Sequence, residues 1–195
     1  MIFVPEACFL RGRTLVPTDL ELLRNCLADV GDELKRLIAR LSPEQAKSVQ
    51  ILLECRGRVA VIGVGKSGLV ARKIAATLAS TGTPSYFVHA GEAVHGDLGL
   101  IRPGDTALVL SNSGETAEIK AILPNLRSMN IPIVALTGRP ESTLGRAAEI
   151  AIDTSVESES DPLNAAPMAS TTLMIAVGDA LAAALMQRRG FSAQD

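Results

Sequence analysis

The stretch Ser111-Asn112-Ser113-Gly114-Glu115-Thr116 places three hydroxyls and a glycine within six residues. It follows an apolar run, Thr106 to Leu110, and precedes an amphipathic one, Ala117 to Leu126. That order reads strand, hydroxyl-rich turn, helix. A helix N-terminus carries roughly half a positive charge and points unpaired N–H donors outward. Ser111, Ser113 and Thr116 at such an end suit a phosphate without any basic residue. One serine or threonine would suffice as a cap, so three point to an anion as well.

A second polar turn, Gly63-Val64-Gly65-Lys66-Ser67-Gly68, matches G-x-G-x-x-G between a strand and a helix. That is the dinucleotide fingerprint in its proper context. The fingerprint also needs an acid about 20 residues on to hold the ribose. Here the next strand ends Tyr86-Phe87-Val88-His89, and Glu92 comes only later. The glycines are therefore read as a loop that approaches a small ligand closely. A third turn, His89 to Asp97, holds both histidines, His89 and His95, with Glu92 and Asp97. Two imidazoles and two carboxylates could bind zinc, but no standard zinc spacing is present. A fourth polar segment, Val156 to Asp161, carries Glu159 ahead of the last apolar helix.

The elements that must position these turns follow from hydrophobic period. Leu20, Leu23, Leu27, Val30, Leu34, Leu37, Ile38 and Leu41 recur at helical spacing over 19–41. Ser42-Pro43-Glu44-Gln45 supplies a cap, a first-turn proline and a capping-box glutamine for a second helix to Arg56. A short, wholly apolar strand is then expected at 59–62, with further strands at 85–88, 106–110, 132–137 and 150–152. Helices are expected at 67–80, 116–129, 142–147 and 169–188. Strands without alternation suit a parallel sheet buried on both faces. The expected fold is α/β: a three-layer sandwich of five parallel strands with helices on both sides. Residues 1–18 read as a tail and 19–195 as one domain. The apolar positions of 19–41 and the small apolar run Ala180 to Leu185 predict an oligomer interface.

At 195 residues, with 47% hydrophobic and 21% charged residues, the chain needs no metal or disulfide to fold. Aromatics make up only 3%, so stacking platforms for single-stranded nucleic acid are scarce. A net charge of −2 with no Lys/Arg run argues against duplex binding. Cys8, Cys26 and Cys55 are odd in number and have no C-x-x-C spacing, which fits buried or unreactive thiols in a reducing compartment. No apolar stretch reads as membrane-spanning and no signal peptide is evident, so a cytoplasmic protein without a membrane partner is expected.

The chain resembles the sugar isomerase domain family, which binds phosphosugars, and within it the bacterial D-arabinose 5-phosphate isomerases. The likeness rests on Gly63 to Gly68, Ala79 to Pro84, Glu92 to Gly99, Ser111 to Glu115, Thr137 to Ser142, Pro162-Leu163, Ala166-Pro167, Ser170 to Thr172 and Gly178 to Leu181. It runs from about residue 20 to the end. The His95-Gly96-Asp97-Leu98-Gly99 and Thr137-Gly138-Arg139-Pro140 segments are the more specific to the isomerase branch. The resemblance implies a flavodoxin-like fold, a homotetramer with active sites at subunit interfaces, and no cofactor. It implies interconversion of D-ribulose 5-phosphate and D-arabinose 5-phosphate, supplying the eight-carbon acidic sugar of lipopolysaccharide. It assigns Lys66, His95, Glu115 and Glu159 to catalysis. Gly65, Ser67, His89, Asp97, Ser111, Asn112, Ser113 and Thr116 fall to the substrate. A nucleotide-sugar end product is a second ligand to test. Family members usually continue into a His-Pro-Gly-Gly segment whose histidine joins the site, and many carry a tandem regulatory module. The chain ends at Asp195, just before that point, so weakened turnover with retained phosphosugar binding is expected of it.

An aldose–ketose isomerisation moves a proton between C1 and C2 through an enediol. It needs a base, a group that steadies the oxyanion, and a ring opener. Glu159 leads as base, Lys66 as oxyanion partner and His95 as proton shuttle. Two rival readings share the domain: a 6-phospho-3-hexuloisomerase, and a non-catalytic regulator that binds a phosphosugar or nucleotide sugar. The first 57 residues are too short and too weakly basic for the regulator's DNA-binding module.

Overall fold

A computed structural model describes residues 17–192 and 194. The expected tail lies almost wholly outside the described residues. Helix α1 spans Asp19–Arg40 and α2 Pro43–Leu53. Each opens on a complete capping box, Thr18 with Glu21 and Ser42 with Gln45. The chain then alternates: β1 Val59–Gly63, α3 Gly65–Ser80, β2 Ser85–His89, α4 Ala90–Val94, a single 3-10 turn Asp97–Leu100 and β3 Thr106–Leu110. After these come α5 Ala117–Ser128, β4 Ile133–Thr137, α6 Thr143–Ala147, β5 Ile150–Asp153 and α7 Ala169–Arg189.

All five strands pair in parallel in the order β2-β1-β3-β4-β5. Strands β1, β3 and β4 are buried at every residue. Their side chains alternate between two cores. Val61, Leu108, Leu110 and Leu136 face α3 and α7 through Ile74, Leu173 and Leu181. Ala60, Ile62, Val109 and Ala135 face α5 and α6 through Ile119, Ile122 and Leu144. This is why the strands read as unbroken apolar runs: neither face meets water.

Some details depart from the sequence expectations. Helix α2 stops at Leu53 instead of Arg56. Helix α3 starts at Gly65, two residues before the expected Ser67, so Lys66 and Ser67 both sit in its first turn. The stretch after β2, read as a loop, folds into α4 and the 3-10 turn, which Gly96 separates at φ 133°. Cys26 and Cys55 are half-exposed free thiols, not buried ones, and Cys8 lies outside the described residues. By length and composition the 21-residue α7 could cross a membrane, contrary to the sequence expectation. Half of its most apolar window is buried in this fold, with Leu173, Met174 and Leu185 in the core.

Helices α3 and α7 touch where Gly178 meets Ile74. A Cβ at Gly178 would stand 2.4 Å from two carbons of that buried side chain. Gly178→Val should therefore destabilise the fold by about 1–3 kcal/mol through overpacking. Thermal denaturation should show a fall of several degrees, and an unchanged midpoint would contradict this packing.

Candidate active site

Parallel pairing brings the loops after β1, β3, β4 and β5 to one edge of the sheet. The order 2-1-3-4-5 makes the gap between β1 and β3 the topological switch point, where open α/β sheets bind ligands. Lys66 and Ser67 come to this gap from the β1 side and Asn112 from the β3 side. Glu159, from the long loop between β5 and α7, closes a cleft of about 380 Å³ against them. A second cleft of about 380 Å³ adjoins it and shares Asn112 and Glu159. Ser113 and Arg139 line this second cleft.

The hydroxyl loop does more than cap a helix. Ser111 is 3% exposed, and its hydroxyl lies 2.8 Å from that of Thr116. Ser111 Oγ also accepts the Gly114 N–H at 3.1 Å. Ser113 Oγ accepts the Glu115 N–H at 3.2 Å. Thr116 is the N-cap residue of α5 yet makes no side-chain cap bond. The first-turn N–H groups of α5 therefore keep no capping hydroxyl, which is the arrangement an anion needs. The loop is braced from behind by the β4–α6 connection: Gly138 N–H bonds Asn112 O at 3.0 Å, and Leu144 N–H bonds Gly114 O at 3.1 Å. Gly114 has φ +62°, and a Cβ there would lie 1.8 Å from Ser142 Oγ.

The G-x-G-x-x-G turn serves backbone packing in the same way. A Cβ on Gly63 would lie 2.8 Å from the Ser67 carbonyl, and Gly65 adopts φ +58° at the start of α3. Lys66 is exposed at the cleft, and no ion pair binds it among the described residues. Glu159 Oε2 accepts the Met168 and Ser170 N–H groups at 2.9 and 3.0 Å, at the start of α7. Its Oε1 has no bond among the described residues. Asp161 organises the rest of that loop, accepting N–H bonds from Leu163, Ala165 and Ala166 at 2.8–2.9 Å. Burial opposes the charge on Asp161, but these backbone bonds outweigh it and hold the carboxyl below its usual range.

The remaining sequence-predicted residues fall elsewhere on the same edge. His95 lines a separate hollow of about 450 Å³, together with Glu92 and Glu118. Ala117, Glu118 and Ala121 of α5 line this hollow, and it shares no residue with the clefts at Asn112. Asp97 is exposed at the start of the 3-10 turn. His89 ends β2, and its buried Nδ1 has no partner among the described residues. The Glu115 carboxylate is tied to α6: it accepts the Thr143 N–H at 2.7 Å and hydroxyl at 3.0 Å, and it pairs with Lys120 at 3.3 Å. Among the described residues, no three His, Cys, Asp or Glu side chains gather as metal ligands would.

Two residues at these sites escaped the sequence analysis as site groups. Arg139 brings a cation beside a hydroxyl loop that was expected to work without one. Its position immediately after β4, at the ligand edge of the sheet, was the available signal. Glu118 looked like an ordinary acid in a first helical turn, and only the fold sets it beside His95.

The matching family model is the SIS domain, over residues 52–184. The chain belongs to the SIS domain family. Arabinose 5-phosphate isomerase KdsD of Pseudomonas aeruginosa is 49% identical over 180 residues, which are 91% of this chain and 55% of that protein. KdsD of Escherichia coli K12 is 47% identical over 176 residues, 90% and 52% of the two chains. The chain thus spans about half the length of the curated relatives it matches. Among solved structures, Escherichia coli CFT073 c3406 in complex with arabinose 5-phosphate superposes with a TM-score of 0.85 at 43% identity. That match covers 90% of this chain and 94% of the other.

The Glu115 contacts carry a titration signature. The Thr143 backbone N–H, then its hydroxyl, and Lys120 together hold the Glu115 carboxyl below 4.5. A carboxylate depressed on folding stabilises the native state above its unfolded pKa, and loses that effect as pH falls through the lower folded value. Carboxyl NMR titration should place Glu115 below 4.5, and Thr143→Val, which removes only the hydroxyl, should move it part of the way back. A midpoint indifferent to Thr143→Val would contradict the assigned bond.

Proposed function

We propose that the chain interconverts D-arabinose 5-phosphate and D-ribulose 5-phosphate through an enediol, with no organic cofactor. The observation that carries this reading is the shared cleft: Lys66 and Glu159 line one cleft, and the hydroxyl loop lies beside it. Kinship with the KdsD isomerases supports the choice of pentose. In this reading the first-turn N–H groups of α5, Ser113 and Arg139 hold the phosphate, while Ser67 and Asn112 orient the sugar. Phosphate binding is remote from the reacting carbons and serves to fix them in place. Glu159 takes the C2 proton of the aldose and returns it to C1, while the hydroxyl proton passes from O2 to O1 and the carbonyl moves from C1 to C2. Lys66 steadies the oxygen that carries negative charge in the enediolate. Run toward the aldose, the reaction would supply arabinose 5-phosphate for the acidic eight-carbon sugar of lipopolysaccharide.

Incubation with arabinose 5-phosphate in heavy water should show deuterium entering at C2 by NMR. Glu159→Gln keeps an acceptor for the Met168 and Ser170 N–H groups but cannot take a proton. Exchange should then slow by about 10²–10⁴-fold, the range a general base supplies. Undiminished exchange in Glu159→Gln would remove Glu159 from the role. Turnover of a 3-hexulose 6-phosphate in preference to the pentose would overturn the substrate.

We further propose a homotetramer that carries His95 of one copy toward the cleft of another. Within one chain His95 occupies a different hollow from Lys66 and Glu159. Around it Val94 and Leu100 are each 48% exposed. The outer half of α1 likewise exposes Leu20, Leu23 and Leu27. Light scattering should report four chains, and the double variant Leu23→Asp, Leu27→Asp should reduce both mass and turnover. A monomer at micromolar concentration with full turnover would contradict this.

A further inference from the structure

Glu33 is 2% exposed near the middle of α1, an unusual place for a carboxylate unless something holds it there. Its Oε1 accepts the backbone N–H of Glu157 at 3.1 Å, across a sequence separation of 124 residues. Arg36 Nη1 donates to the same oxygen at 3.0 Å, while its Nη2 pairs with Glu157 Oε2 at 3.2 Å. One turn further along α1, Arg40 donates to the carbonyls of Asp153, at 3.2 Å, and Ser155. It also pairs with the Asp153 carboxylate at 3.4 Å. The inner face of α1 therefore grips the chain from the end of β5 to Glu157. Glu159 enters the cleft two residues later.

The grip falls on the stretch between the end of β5 and the Glu159 turn, where the chain's own backbone bonds are few. Between Thr154, whose N–H bonds Thr137 O at 2.8 Å, and Glu159, whose N–H bonds Asn164 Oδ1 at 2.8 Å, the Ser155 N–H turns back to Asp153 Oδ1 at 2.8 Å, and the Glu157 N–H is, among the described residues, the backbone donor that α1 holds. We propose that Glu33 is a positioning residue for Glu159: by fixing the Glu157 N–H it sets where the Glu159 carboxylate stands in the cleft. The catalytic half of this inference rests on the isomerase reading above. Glu33 touches no substrate and acts through the loop alone. A misplacement of about 1 Å at a reacting group can cost roughly a hundredfold in rate.

The test combines turnover with amide hydrogen exchange on the full chain. In the unaltered protein the Glu157 N–H should exchange at least about tenfold more slowly than that of exposed Ser158, a comparison that no folding defect can confound. Glu33→Ala should erase that difference and lower kcat by roughly tenfold to a hundredfold, with KM changed much less. Glu33→Gln retains a carbonyl acceptor and should recover most of both. Equal exchange at Glu157 and Ser158 in the unaltered chain would overturn the proposal. So would wild-type kcat in Glu33→Ala, or a Glu33→Gln variant as impaired as Glu33→Ala. Absence of turnover in the unaltered chain would sink the isomerase reading, while the exchange rates would still decide whether Glu33 holds the loop.

Discussion

Everything at the candidate site depends on parallel pairing of strands buried on both faces. A parallel ladder sends every strand-to-helix connection out at the same edge. The loops carrying Lys66, the Ser111–Thr116 hydroxyls, Arg139 and Glu159 are far apart in the chain, and the sheet alone makes them neighbours. The order β2-β1-β3-β4-β5 then opens the gap between β1 and β3, because their following helices leave on opposite faces. Wholly apolar strands are the thermodynamic condition for this. A sheet with one wet face would need no helix on that side, and the loops leading into α5 and α6 would have no reason to exist.

Helix starts recur at the site. Lys66 and Ser67 lie in the first turn of α3, Thr116 opens α5, and Glu159 accepts N–H bonds at the start of α7. Each end offers unpaired N–H groups and a positive potential. Two of them treat the offer differently. At α7 the donors are taken by a carboxylate of the chain itself, which immobilises Glu159. At α5 the neighbouring hydroxyls bond to one another and to the loop backbone, so the first-turn donors stay available. This distinction separates a carboxylate held in place by the chain from donors left open to an anion.

Much of the framework was legible. The five strands and the longer helices follow from runs and periods that local physics dictates, and the Ser42–Gln45 capping box formed as its spacing required. The hydroxyl loop was legible as a strand–turn–helix junction because its chemistry is local: six consecutive residues and one helix end. The short α4 and the 3-10 turn were missed, because their glycines, histidines and acids read as a polar loop. Arg139, Glu118 and Glu33 were missed for another reason. Each reads in sequence as an ordinary surface charge, and its significance comes from a partner that lies far away or on another element.

The sequence by itself determined the α/β alternation, the burial of the strands and the loop chemistry able to receive a phosphate, because these arise from residues within a few positions of one another. Tertiary structure alone decided how those loops divide into sites. It set Lys66 and Glu159 into one cleft and His95 into a hollow with Glu118. It tied Glu115 to the start of α6 through Thr143. It also brought α1 to bear on the segment before Glu159. The physical reason is that a side chain's direction at a strand end depends on which neighbours crowd and bond it, and those neighbours come from distant parts of the chain.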